Sequence, residues 1–163
     1  LLLGQTEWQL LAAPGHRMEA LMFYSPEYRL LISGDALWEN GLGAVLPDDD
    51  LAGLDAALAT LDLIETLPLD WVIPGHGSPF TDVPQALARA RKRLQAMHAD
   101  PQRWAIGLLK SLLMFNLLEQ QSMPLAQLPA YLETLPLYRN LSQTLLRQSP
   151  AQLAERVLQE LES

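Results

Sequence analysis

The chain has 163 residues, near the size of one domain, and 49% of them are hydrophobic, enough to fill a core. Its 11 basic and 19 acidic residues leave a net charge of −8, which repels phosphate backbones and anionic lipid at long range and makes nucleic acid and membrane surfaces poor default partners. Cysteine is absent, so disulfides, zinc–thiolate sites and thiol nucleophiles are excluded, and any metal must be held by His, Asp or Glu.

Residues 6 to 82 alternate short apolar runs with turn signals. The runs "EWQLLAA", "ALMFYS", "RLLIS" and "DWVI" read as strands that end at Pro14-Gly15, Pro26-Glu27, Gly34-Asp35 and Pro74-Gly75. Between the last two, "DDDLAGLDAALATLDLIETLPL" changes period. Leu51, Leu54, Leu58, Leu61 and Ile64 recur at three- and four-residue steps, as one face of a helix requires. Asp48, Asp49 and Asp50 precede it, where an N-cap and the helix dipole favour negative charge. Strands around a long helix predict a layered α/β unit.

From Pro84 onward the pattern is helical, which places a boundary near residue 83: an α/β domain over 1–83 and a helical extension over 84–163. Helices are expected to open at Asp82-Val83-Pro84 and at Asp100-Pro101, each with proline in the first turn. Pro124, Pro129, Pro136 and Pro150 cut the remainder into short helices. The last of these opens at "SPAQ", where Ser149 and Gln152 have capping-box spacing, and continues through Leu153, Val157 and Leu161. Lys110 and Glu119 interrupt "WAIGLLKSLLMFNLLEQ", which reads as a buried helix and not as a membrane span. Arg89, Arg91, Lys92 and Arg93 are expected on a solvated helix face, with a phosphate or nucleic-acid patch as the alternative, and His98 at a helix end on the surface.

Three polar residues stand apart. His16 follows "WQLLAAPG", Asp35 follows "RLLISG" and His76 follows "DWVIPG", each just past the carboxyl end of an apolar strand. In open α/β sheets those ends form the ligand crevice. The flanking Gly15, Gly34 and Gly75 let the backbone turn sharply there. Imidazole and carboxylate suit a borderline divalent cation, and a bridging carboxylate can hold two cations roughly 4 Å apart. Taken singly, each has a plainer reading: His16 and His76 as loop histidines, Asp35 as a turn former or an N-cap for "ALWE". Trp38 and Glu39 line a substrate pocket, or else Trp38 is a core aromatic.

"APGH" with His16, "ISGDAL" with Asp35 and "VIPGHG" with His76 resemble three successive motifs of the metallo-β-lactamase fold hydrolases, most closely the glyoxalase II-like branch. The resemblance covers residues 6 to 80. It implies the C-terminal half of a four-layer αββα sandwich with a one- or two-metal site along one edge. In that scheme His16 completes the first metal site, Asp35 bridges both ions and His76 ligates the second. Zn2+ is the implied cofactor, with iron or manganese as alternatives. Metal-bound hydroxide would attack a thioester, ester or related bond of a small-molecule substrate, with Asp35 as the catalytic carboxylate. Residues from about Pro101 resemble, more faintly, a winged-helix-like extension without its wing.

The family's His-x-His-x-Asp-His motif is absent, because His16, His76 and His98 are the only histidines. Arg17-Met18-Glu19-Ala20 also stand where the family carries a small polar residue and a glycine, which leaves the substrate class open. The expectation is therefore a fragment of a cytoplasmic hydrolase that by itself binds zinc weakly and hydrolyses nothing, and that self-associates through surface a missing half would cover. The rival expectation is a non-enzymatic interaction or nucleic-acid-binding helical module with a degenerate metal site.

Overall fold

The structure, a computed structural model, describes residues 1–46, 51–143 and 145–162. It falls into two compact units, 1–99 and 100–163.

The first unit opens with a two-stranded ribbon, β1 (Leu2–Leu3) against β2 (Thr6–Glu7). The run "EWQLLAA" is thus shared between two sheets, with Trp8 separating β2 from β3 (Gln9–Ala12). Strands β3, β4 (Leu21–Ser25) and β5 (Leu30–Gly34) form an antiparallel meander, and β6 (Trp71–Pro74) joins β5 in parallel to complete the order β3-β4-β5-β6. A parallel neighbour requires a crossover, and helix α1 (Ala52–Thr66) supplies it. Strands β3, β5 and β6 therefore point the same way, and β4 alone runs back.

Side chains alternate across this sheet. Met22, Tyr24, Leu31 and Val72 share one face and are buried. Helix α1 buries Leu54, Ala57, Leu61 and Ile64, while Leu51 and Leu58 are only half-buried, so its inner face includes alanine and Thr60 rather than the full leucine series. The N-cap position of α1 is Leu51 in the left-handed region, φ 59°, without a side-chain cap. The Asp48–Asp50 cap expected from the sequence lies outside the described residues. Helix α2 (Val83–Ala99) packs against α1 and buries Val83, Ala86, Leu87, Ala90 and Leu94. That contact keeps α2 in the first unit, so the division falls after Ala99 and not near residue 83.

The opposite sheet face is different. Leu10, Phe23, Ile32 and Ile73 pair in register across all four strands. Leu10 is 48% exposed and Ile73 37%, and Trp71 lies exposed on the same side. One sheet face is covered, and the other presents an apolar row to solvent.

The second unit is helical throughout its described residues. Helix α3 (Pro101–Gln120) starts at Asp100, whose carboxylate accepts from the Arg103 amide at 3.0 Å. A 3₁₀ turn (Leu125–Gln127), α4 (Leu128–Thr134), α5 (Pro136–Gln143) and α6 (Pro150–Glu162) follow, with Pro129, Pro136 and Pro150 each in a first turn. The expected capping box is present: Ser149 N donates to Gln152 Oε1 at 2.9 Å, and Gln152 N to Ser149 Oγ at 3.3 Å. Leu109, Leu113, Leu132, Tyr138, Leu141, Leu153 and Val157 form the core. The Tyr138 hydroxyl donates to the Leu109 carbonyl at 2.6 Å, and its burial pushes the phenol pKa well above the usual range. Helix α3 is not buried all round as its composition suggested, because Phe115 and Leu118 are exposed. Among the described residues no helix is long and apolar enough to cross a membrane.

Candidate metal centre

His16, Asp35 and His76 leave the ends of three strands that point the same way, so the sheet delivers all three to one edge. His16 Nε2 lies 3.6 Å from Asp35 Oδ2, and His76 Nε2 lies 3.8 Å from Asp35 Oδ1. Both separations exceed a hydrogen bond. They are close to the spacing of two donors on one tetrahedral cation, about 3.4 Å for bonds of about 2.1 Å. The two carboxylate oxygens thus face different imidazoles. Among the described residues no three His, Asp or Glu side chains converge on a single point. The arrangement is two donor pairs that share one carboxylate.

His16 is oriented by its second nitrogen. Nδ1 lies 2.5 Å from the Ala44 carbonyl, which can only accept, so the Nδ1 proton is donated there and Nε2 is the nitrogen turned toward Asp35. This is the tautomer a cation ligand needs. The His16 and Asp35 side chains are about one-third exposed, at 34% and 33%, whereas His76 is 73% exposed. The donors therefore line an accessible rim.

Two close approaches hold the rim together. Gly43 packs on Asp35 so tightly that a Cβ there would lie 2.6 Å from the Asp35 Cβ and 3.2 Å from the His16 ring, and its amide donates to the Asp35 carbonyl at 2.8 Å. Gly15, at φ 146°, lies against α1, where a Cβ would meet the Ala57 Cβ at 2.8 Å. Thr60 of α1 donates to the Pro14 carbonyl at 2.8 Å, so the helix fixes the loop that carries His16.

Asp35 caps no helix, because "ALWE" turns back through a Trp38–Gly41 bridge. Trp38 joins the site directly. Its indole N–H donates to Asp35 Oδ1, and its ring meets His76 edge to face with centroids 5.1 Å apart. Glu39 is exposed and contributes its backbone carbonyl to Arg89 at 2.8 Å. The reading of the residues missed Gly43 and Ala44, and the signal was the paired glycines of "NGLGAV" directly after the Asp35 motif.

In the basic run of α2, Arg89, Lys92 and Arg93 are exposed, as a solvated face requires, and Arg91 is half-buried and paired. Arg91 bonds Asp62 at 2.5 Å and Glu65 at 2.7 Å on α1, and the Asp62 hydrogen bond leads in pushing its pKa above the ordinary guanidinium value. His98 is exposed in the last turn of α2, as expected.

Residues 1–76 match the metallo-beta-lactamase superfamily. Among solved structures, a beta-lactamase domain protein from Burkholderia ambifaria is similar at 29% identity and TM-score 0.54, over 59% of this chain and 31% of that one. A metallo-beta-lactamase family protein from Thermus thermophilus is similar at 28% identity and TM-score 0.47, over 69% of this chain and 35% of that one. A metallo-beta-lactamase from Staphylococcus aureus is similar at 28% identity and TM-score 0.40, over 47% of this chain and 25% of that one. No curated protein matches the chain. The chain spans about a third of the length of the first two structures. Residues 1–76 are thus similar to the metallo-β-lactamase superfamily in sequence, and the first of these structures extends that similarity to the fold.

Proposed function

We propose that the chain carries one side of a divalent-metal hydrolase centre, with His16 and Asp35 Oδ2 as ligands of one cation and Asp35 Oδ1 and His76 as ligands of a second. The observation that carries this reading is the pair of Nε2–oxygen separations, 3.6 and 3.8 Å, to the two oxygens of a single carboxylate. A bound cation of this type supplies an activated water at neutral pH and stabilises negative charge developing on a carbonyl or phosphoryl oxygen. The protein's part is to hold Asp35 as the shared ligand, to fix His16 in the ligating tautomer through Ala44, and to keep the rim open to substrate. Zn2+ suits an imidazole and a carboxylate oxygen at each position, and iron or manganese suits the same donors.

Two protein donors per ion make a weak site, and a closed tetrahedral centre needs further donors for each ion. The apolar row Leu10, Phe23, Ile32 and Ile73 supports a four-layer αββα arrangement, in which a second sheet covers this face. The whole protein is read as a glyoxalase II-like hydrolase of a thioester, ester or related bond in a small molecule. Residues 100–163 are read as a winged-helix-like extension without a wing, on helix order alone.

Zinc titration by calorimetry tests the centre. Weak binding is expected for the chain, with Asp35→Ala removing it and His16→Ala and His76→Ala each removing part. Zinc binding that survives Asp35→Ala unchanged overturns the reading.

A further inference from the structure

We propose that Trp38 is a positioning residue that holds the Asp35 carboxylate and the His76 ring in mutual register, an inference that rests on the metal-centre reading above. Its indole N–H lies 3.2 Å from Asp35 Oδ1 and 3.2 Å from the Gly34 carbonyl. This forked contact ties the carboxylate to the backbone at the end of its own strand, so rotating Asp35 breaks a charge-assisted hydrogen bond. Oδ1 is also the oxygen that faces His76. A carboxylate oxygen has two lone-pair directions, so accepting from the indole leaves one for a cation.

The same ring limits His76. The two rings are inclined at 74° with centroids 5.1 Å apart, and among the described residues no hydrogen bond fixes the His76 imidazole. On a side chain that is 73% exposed, the indole is the wall that narrows its range of rotation. Trp38 is itself held. Its amide donates to the Gly41 carbonyl at 2.8 Å, the Gly41 amide donates back at 3.3 Å, and Arg89 of α2 grips the next carbonyl, that of Glu39, at 2.8 Å. One aromatic residue therefore connects a rigid turn to two of the three donors. Partners of this kind, one step removed from a metal, typically change its affinity by about 10- to 100-fold.

The test uses the full chain with Co2+ as the probe, read by visible absorption. Trp38→Phe keeps a ring against His76 and loses the N–H. It is expected to bind Co2+ at least about tenfold more weakly, with a shifted visible band, while Trp71→Phe on the open sheet face binds as the parent does. Equal affinity and identical spectra for Trp38→Phe and the parent overturn the proposal. A second readout needs no metal: the Trp38 indole N–H resonance should move upfield and exchange faster in Asp35→Asn, and an unchanged resonance also overturns it. Should the parent chain bind no Co2+, the metal-centre reading fails, and the resonance still decides whether Trp38 holds Asp35. Should Trp38→Phe fail to fold, the resonance carries the test alone.

Discussion

In the second unit, Leu109, Leu113, Tyr138 and Leu141 are almost wholly buried, and the Tyr138 hydroxyl and the Ser149–Gln152 pair find their partners within the helical framework. In the first unit, the strand-end loops do the reverse. They leave His16 and Asp35 one-third exposed, press Gly43 onto Asp35 and hold Gly15 at φ 146°. Where sequence preference, capping and packing agree, a region is specified for stability, and where a chain departs from those preferences locally, the departures mark function. On the metal-centre reading proposed above, the two units illustrate the two cases.

Breaking the second unit should cost most and leave the rim alone. Leu109→Ala opens a cavity in the core that α3 shares with α5 and α6, and is expected to destabilise by about 2–5 kcal/mol in urea unfolding. Zinc affinity should stay at the parent value, and a loss of zinc binding would erase the distinction between the regions. Gly43→Ala is expected to cost less in stability, about 1–3 kcal/mol, because a single methyl must be fitted against Asp35. Its larger effect should be on zinc binding by calorimetry, which is expected to disappear as Asp35 is pushed from its place. Parent-like binding would show that the close approach does not set the rim. Ser149→Ala removes one arm of the capping box and should lower stability by about 1 kcal/mol by thermal unfolding, with no change in zinc binding.

Much of this division is legible in the residues. The alternation of apolar runs with Pro-Gly and Gly-Asp turns located β3 through β6, and the helical period between Leu51 and Ile64 located the crossover that makes β5 and β6 parallel. That crossover brings His76 to the edge that Asp35 leaves from, and the return strand β4 brings His16 there. The split of "EWQLLAA" was not legible, because a strand run carries no mark of which sheet it joins. The place of α2 was not legible either, since the buried faces of α1 and α2 match each other only once both are folded. Trp38 was ambiguous for a related reason: an aromatic after a strand suits a core and a rim equally, and only the direction of its N–H separates them. Gly43 was marked only by the paired glycines of "NGLGAV", because its importance is a distance to a side chain eight residues earlier, which no local preference encodes.

The meander has a consequence for one arm of the site. Asp35 and His76 leave adjoining strands, but β4 lies between β3 and β5, so His16 sets out from a point roughly 10 Å of sheet away from Asp35. The hairpin from Ala13 to Ala20 acts as a ruler across that gap, with its zero mark set by Ala57 beneath Gly15. Deleting one residue from that hairpin is expected to draw the imidazole short, and inserting one to carry it past. The number of residues in this single turn therefore bears on the site more than their identities do.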